Sequence, residues 1–382
     1  MNALVQLGTE SAVTESRTSP DWVRISQASA LALRFKSGRF TRPFPFGGIN
    51  LLLNYDEGCR SDCGYCGLAR SRSGAYQDKS FIRVDWPLVS TDELVDRLAR
   101  YEDRLRRLCI SMVTHGHAYR DTLQISRRIH RRVKTPLSIL VAPPTLSEER
   151  LSELKDAGAE MIGIGLDAVT EELFRAIRTD VPKGRLGWDN YWHIVETSRR
   201  IYGPWKVNCH LLVGLGESDR DLMETFERLL KQQIYSYLFC FNPEPDSRMA
   251  EHPKTPVRRW RRVQLAKFLL EERGLAPEAF DYDGDGMLGR ITAPPELVAR
   301  AVADGRAFMT NGCPSAGGEP GCTRPMGSWR PGEAPRDYPW RPDGDDLAAI
   351  RDQLALDEIL RPGPASTRPP EAWAPPVAGR AG

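Results

Sequence analysis

The chain has 382 residues and carries 53 Lys and Arg against 51 Asp and Glu, a net charge of +2. This balance supplies no strong field for nucleic acid or a membrane surface, and no apolar run approaches the ~18 residues that a bilayer span requires. Eight cysteines are too few for a disulfide scaffold in a chain this long, and the acidic N-terminal stretch lacks an apolar signal core, so reduced thiols and a cytoplasmic location are expected.

The first residues are polar and unpatterned, and 1–24 is read as a flexible arm. From 25 to 310, short β-branched or apolar runs alternate with amphipathic helical stretches. The strand-like runs are 48–55, 108–114, 137–143, 161–167, 207–215 and 237–243, with weaker candidates at 279–283 and 289–293. Helical periodicity fills the intervals 91–107, 120–133, 146–157, 170–178, 189–202, 218–232 and 256–273, and Ser218 with Asp221 resembles a capping box. Continuous apolar strands separated by helices predict a parallel sheet buried on both faces. The fold class is therefore α/β, a (β/α) barrel, complete or partial, where chemistry collects at the C-terminal ends of the strands. A cysteine-bearing segment (311–341), a short helix (342–360) and a Pro- and Ala-rich tail expected to be disordered (361–382) follow.

Cys59, Cys63 and Cys66 form a C-x3-C-x2-C run in the first strand-to-helix loop, with Tyr65 just before the last thiol. Thiolates are the usual ligands of iron–sulfur clusters. Three of them leave one iron of a cubane open to another ligand. A structural zinc site needs a fourth Cys or His, and the next histidine is His115. Gly47-Gly48 opens the first strand, either as a turn or as a close backbone approach. The fourth strand ends in Asp167, which is placed either to accept hydrogen bonds from a ribose or to cap the helix beginning near Thr170. After the fifth strand, Val213-Gly214-Leu215-Gly216-Glu217-Ser218 is a glycine-bearing turn. Alternation puts His210, Leu212 and Gly214 on one strand face and Cys209 on the other. His210 either meets a ligand or packs as a hydrogen-bonded core side chain. The facing of Cys240 is open. Residues 281–286 resemble a calcium loop, but position twelve is Thr292, so the segment is read as an acidic turn. Cys313 and Cys322 lie in a Gly- and Pro-rich stretch that needs a staple to hold its shape, metal or cluster ligation being one and free loop thiols the alternative.

The cysteine run and its aromatic resemble the signature of the radical S-adenosylmethionine (SAM) enzymes. The resemblance implies a [4Fe-4S] cluster on Cys59, Cys63 and Cys66, with SAM on its open iron and cleaved by one electron to a 5′-deoxyadenosyl radical. His210-x-Leu212-x-Gly214-x-x-Glu217 resembles the strand-five motif G-x-I-x-G-x-x-E that packs on adenine, with His in place of the first Gly. Tyr65, Asp167, His210, Leu212, Gly214 and Glu217 are accordingly expected to contact the cofactor.

YCGLAR (65–70), CISMVTH (109–115), GIGLDAVTEELF (163–174), GWDNYW (187–192), HLLVGLGES (210–218), FNPEPDSRM (241–249) and the GC…CTRP segment together resemble the biotin synthase-related proteins that act in pairs as lipoyl synthases in archaea and sulfur-oxidising bacteria. That resemblance, over about 45–340, implies sulfur insertion at C6 or C8 of an octanoyl group on a lipoyl-carrier protein. It also implies a second, auxiliary cluster, for which Cys109, Cys313 and Cys322 are the expected ligands, together with a partner radical SAM synthase and a ferredoxin or flavodoxin donor. Eight residues separate Cys313 from Cys322, wider than the group's pattern. A biotin synthase-like enzyme on a small molecule and a non-enzymatic iron–sulfur carrier are the alternatives; neither nucleic acid nor membrane is expected as a partner.

Overall fold

The structure is a computed structural model that describes residues 16–364 apart from 41, 43, 45, 179–186, 328, 330 and 331. In chain order it contains β1 (Trp22–Ile25), α1 (Gln27–Ala32), β2 (Gly48–Leu53), β3 (Leu88–Ser90), α2 (Thr91–Arg100), β4 (Arg107–Ser111), α3 (Ala118–Arg132), β5 (Leu137–Val141), α4 (Glu148–Asp156), β6 (Ala159–Asp167), α5 (Glu171–Ile177), α6 (Trp188–Tyr202), β7 (Val207–Val213), α7 (Asp219–Lys231), β8 (Tyr235–Cys240), α8 (Val257–Glu272), β9 (Phe280–Tyr282), β10 (Leu288–Ala293), α9 (Pro295–Asp304), α10 (Gly344–Leu354), α11 (Leu356–Ile359) and β11 (Leu360–Pro362).

The main sheet runs β3-β1-β2-β4-β5-β6-β7-β8. The six strands β2 and β4 to β8 pair in parallel, while β1 lies antiparallel between β2 and β3. Parallel neighbours require crossovers, and the helices expected from periodicity supply them. The architecture is that of a partial (β/α) barrel. In α7, Leu222, Phe226 and Leu229 form a buried stripe at helical spacing, and Ser218 with Asp221 closes a reciprocal capping box. Ile49, Leu51 and Leu53 of β2 and Leu108 and Ile110 of β4 are buried against the helical layer. The alternate positions face the barrel interior, among them Asn50, Leu52, Cys109, Ser111, His210 and Leu212.

Two segments differ from the sequence expectation, and the acidic segment agrees with it. Trp22–Ile25, placed in the arm except for its last residue, is a strand whose Val23–Ile25 are in register with Leu51–Leu53; residues 1–15 of that arm lie outside the described residues. Leu360–Pro362, which overlaps the start of the expected tail, pairs in parallel with β10, and 365–382 again lie outside the described residues. A four-residue strand has too little periodicity to stand out alone; β1 exists because two other strands flank it. The acidic segment is the turn of the β9–β10 hairpin, where Asp283 accepts from the backbone N–H of Asp285 and Met287.

The segment around Cys313 and Cys322 plugs the N-terminal end of the barrel. The N–H groups of Gly321 and Cys322 donate to the Cys313 carbonyl at 3.0 and 3.2 Å, and Pro314 bridges Pro320. The eight intervening residues are thus a closed loop that returns the second cysteine to the first. Arg107 Nε holds this loop through the Pro314 carbonyl at 2.7 Å. Gly48 passes so close to it that a Cβ there would lie 2.6 Å from the Gly321 carbonyl oxygen, which settles the Gly47-Gly48 alternative as a close backbone approach. Gly48→Ala is expected to destabilise the protein by about 1–3 kcal/mol through overpacking, measured by urea unfolding; an unchanged midpoint would mean that the plug sits looser than this.

Candidate active site

The loop after β2 is fixed from two sides before any ligand is considered. On one side Arg60 N–H donates to the Thr114 carbonyl at 2.8 Å and Ser61 Oγ to Thr114 Oγ1 at 2.7 Å, tying it to the end of β4. On the other, Gly64 N–H donates to the Ile177 carbonyl at 2.7 Å, and Cys63 bridges Arg178. Buried Asp62 accepts from Ser71 N–H and Oγ at 2.9 and 2.6 Å. The Arg248 guanidinium clamps the Asp62 and Ile177 carbonyls, both at 2.9 Å. Cys59, Cys63 and Cys66 then line one end of a cavity of about 290 Å3 inside the barrel. Burial raises the pKa of the Cys63 and Cys66 thiols, because a thiolate is disfavoured away from water.

Half-buried Tyr65 and Asp167 and buried Arg178 form a group on the same wall. The Tyr65 hydroxyl donates to Asp167 Oδ2. Arg178 Nη2 reaches Asp167 Oδ2 at 2.6 Å, the Gly165 carbonyl at 2.8 Å and Tyr65 Oη at 3.0 Å, while its Nη1 reaches Tyr191 Oη at 2.7 Å. Asp167 stands at φ +63°, a left-handed conformation that Asp tolerates. The helix α5 is capped by Thr170 instead, whose side chain accepts from Leu173 N–H. The capping alternative for Asp167 therefore falls, and its carboxylate faces the cavity. Burial raises its pKa, opposed by Arg178 and by the Tyr65 hydrogen bond. Sequence reasoning missed Arg178 because a single arginine at a helix end has no pattern of its own.

On β7, His210 and Leu212 line the cavity, and Cys209 is buried on the opposite face. The His210 ring packs at 4.7 Å from Phe239. Burial, with Arg324 nearby, holds it neutral and lowers its pKa to about 3. Gly214 and Glu217, expected to contact the cofactor, are placed differently: neither is among the cavity-lining residues. Gly214 has φ +107°, and a Cβ there would lie 1.9 Å from Thr255 Oγ1. The buried Glu217 carboxylate accepts from the N–H groups of Gly214, Leu215 and Gly216 at 2.7, 2.9 and 3.2 Å and pairs with Arg259 at 2.8 Å. These two residues shape the strand-end turn, and their carboxylate and backbone groups are spent on it.

Cys109, Cys313 and Cys322 line the same cavity from the plugged end. Burial raises the pKa of Cys109 and Cys322; at Cys109 the Cys322 and Cys313 thiols add to it, and at Cys322 Arg324 opposes it while Cys313 adds to it. Asn208 Nδ2 lies 3.5 Å from Cys313 Sγ, and Cys322 Sγ lies 3.6 Å from Asn50 Oδ1. Cys240, whose facing was open, also lines the cavity. Among the described residues, no three Cys, His, Asp or Glu side chains are gathered as a ready single-ion site.

Residues 53–229 match the Radical SAM superfamily. They form a radical SAM domain. Relatives are distant: an uncharacterized protein of Methanocaldococcus jannaschii is 27% identical over 248 residues, 63% of this chain and 57% of that protein. The biotin synthase of Afipia carboxidovorans is 22% identical over 255 residues, 66% of this chain and 63% of the relative. The chain thus spans about three-fifths of the length of these relatives. The crystal structure of methylornithine synthase aligns over 88% of this chain and 87% of its own, with a TM-score of 0.47 and 10% identity.

The superfamily implies a [4Fe-4S] cluster and SAM. The donor chemistry of the radical SAM domain fits that pair: three thiols on a two-sided loop open into a cavity that also presents the Asp167 carboxylate and the His210 ring. The plugged end also has donor groups to spare. Beside Cys313, buried Asn208 Oδ1 has no hydrogen-bond partner and Tyr237 Oη only the Cys313 thiol. Among the described residues, no helix is long and apolar enough to cross a membrane.

Two outcomes follow for the radical SAM domain. Glu217→Ala removes the acceptor of three buried N–H groups and leaves Arg259 unpaired, so a loss of about 3–5 kcal/mol is expected in urea unfolding; a loss below 1 kcal/mol, the scale of an exposed ion pair, would make the turn self-sufficient. His210 is neutral in the folded chain and protonates near pH 6.5 when unfolded. Between those pKa values the unfolded state binds more protons, so stability falls as pH drops below about 6.5. From pH 7 to 5 the wild type is expected to lose about 2 kcal/mol that His210→Phe does not lose; equal pH profiles would contradict the burial of a neutral ring.

Proposed function

We propose that the chain is a radical SAM sulfur-insertion enzyme, a component of a two-protein lipoyl synthase acting at C6 or C8 of an octanoyl group on a lipoyl-carrier protein. The observation that carries this reading is that one cavity is lined by two cysteine triads, Cys59, Cys63 and Cys66 at the mouth and Cys109, Cys313 and Cys322 at the plugged end. A single cluster uses one triad. A second triad facing the same space suits a reaction in which a carbon activated at one end receives an atom held at the other.

When bound, the first cluster and SAM supply a one-electron cleavage that generates a hydrogen-abstracting radical. The chain's own residues do the remaining work. Cys59, Cys63 and Cys66 anchor that cluster at the catalytic face. Asp167, held by Arg178 and Tyr65, offers an acceptor for ribose hydroxyls, and the neutral His210 ring a flat face for adenine. Leu52, Leu140, Leu212 and Phe239 supply apolar wall, which suits an aliphatic chain and keeps water from the reacting carbon. Cys109, Cys313 and Cys322 would hold an auxiliary cluster as the sulfur donor, with Asn50 and Asn208 beside the thiols. A partner synthase would add the other sulfur, and a ferredoxin or flavodoxin would supply electrons.

The biotin synthase relatives favour one competing reading, sulfur insertion into a free small molecule. Anaerobically reconstituted protein is to be offered an octanoylated carrier and dethiobiotin in parallel, with products read by mass spectrometry. Sulfur on the carrier alone is the expected result; sulfur on dethiobiotin alone would replace the lipoyl reading. Iron is expected to fall from about eight per chain to about four in Cys313→Ala/Cys322→Ala, the content of two cubanes and of one. Cys63→Ala is expected to yield no 5′-deoxyadenosine from SAM. An unchanged iron count in the double variant would remove the auxiliary cluster from the reading.

A further inference from the structure

A second cavity, of about 200 Å3, lies beneath the barrel between the N-terminal end of β8, the helix α8 and the loop carrying Cys313. It shares Tyr237 and Gly312 with the main cavity. The partition between the two is therefore one or two residues thick, and it stands next to Cys313. The Tyr237 ring packs on Cys313 and Met161, and its hydroxyl faces the Cys313 thiol. Tyr237 is 5% exposed and Thr310, on the second cavity's wall, 4% exposed. Both hydroxyl oxygens lack a nitrogen or oxygen partner. Burying a hydroxyl without a partner is unfavourable; Thr310 Oγ1 has none and Tyr237 Oη only the weak Cys313 thiol, so this wall is suited to a small polar visitor. The opposite wall carries Lys267, paired with Glu271 at 2.5 Å, and Arg306.

We propose that this second cavity is the port through which a small sulfur species, hydrosulfide, reaches the Cys109, Cys313 and Cys322 site. This rests on the sulfur-insertion reading above. A donor cluster that gives up a sulfide must be refilled or the enzyme stops after one product. The main cavity is no route for refilling, because its mouth is where the first cluster, SAM and substrate sit. The second cavity reaches the same triad from the opposite side. Hydrosulfide already carries sulfur at the oxidation level of a bridging sulfide, so on binding iron it releases only its proton, and no oxidant or reductant is needed. Tyr237 and Thr310 are positioning residues of this route, not ligands.

The test uses the full-length protein in two forms. In the metal-free form under anaerobic conditions, alkylation of each cysteine by iodoacetamide is followed by site-resolved mass spectrometry. Met309→Trp, at a half-buried position on the second cavity's wall, is expected to slow Cys313 labelling about tenfold or more while Cys59 is unaffected, because access then waits on local opening. Tyr237→Ala, which thins the partition, is expected to speed it. In the reconstituted form, exchange of labelled sulfide into the second site is expected to slow in Met309→Trp, with SAM cleavage unchanged. Cys313 labelling and sulfide exchange at the wild-type rate in a folded Met309→Trp protein would overturn the port, as would equal slowing at Cys59 and Cys313. If the wild type binds only about four irons, the content of one cubane, the auxiliary cluster fails, and the alkylation rates still judge the port independently.

Discussion

Six parallel strands of period two give this protein a single interior, and every second residue of each strand must face it. The interior cannot be filled uniformly with large apolar side chains, because Gly163, Gly165, Asn50, Cys109 and Asn208 occupy inward positions. A Cβ on Gly163 would come within 2.8 Å of the Asn208 side chain. The outward positions carry the hydrophobic load instead, with Ile49, Leu51, Ile110 and Ile139 buried under the helices. Stability and reactivity are thereby assigned to opposite faces of the same strands.

The two ends of that interior are built by different means. At the C-terminal end, the cysteine loop is pinned by backbone hydrogen bonds to the segment after β4 and to the end of α5, while Cys59, Tyr65 and Cys66 pack against the core edge. At the N-terminal end, the glycine contact between Gly48 and Gly321 and the Arg107 hydrogen bond to Pro314 seat a loop that has almost no core of its own. Arg107 also pairs with Glu160 at 2.8 Å, which balances a buried guanidinium beside thiols. A closed floor of this kind makes the barrel a chamber with Cys109, Cys313 and Cys322 at its base, and a smaller space lies beneath it.

Polar side chains that look like ligands are in several places structural. Glu217 is spent on the turn and on Arg259, and Asp219 accepts from the Leu288 N–H at 2.9 Å while pairing with Arg259. Asp167 is the contrary case, since Thr170 caps the following helix and frees its carboxylate for the cavity. Each of these assignments turns on where a hydrogen-bond donor happens to lie in space.

Much was legible in the sequence because it was local. Hydrophobic periodicity located all six parallel strands to within a few residues, and their helices too except that α2 ends at Arg100 and not at 107, since burial on two faces writes itself into a continuous apolar run. The C-x3-C-x2-C spacing announced the first thiol site for the same reason: its three ligands share one short loop. What the tertiary structure alone decided was everything that depends on distance across the chain. It brought Cys109 to Cys313 and Cys322 across some two hundred residues, recruited Arg178 to Asp167, moved Glu217 from the cavity to the turn, and made strands of Trp22–Ile25 and Leu360–Pro362. No pattern marks such pairs beforehand, because their energies belong to contacts that exist only once the barrel has closed.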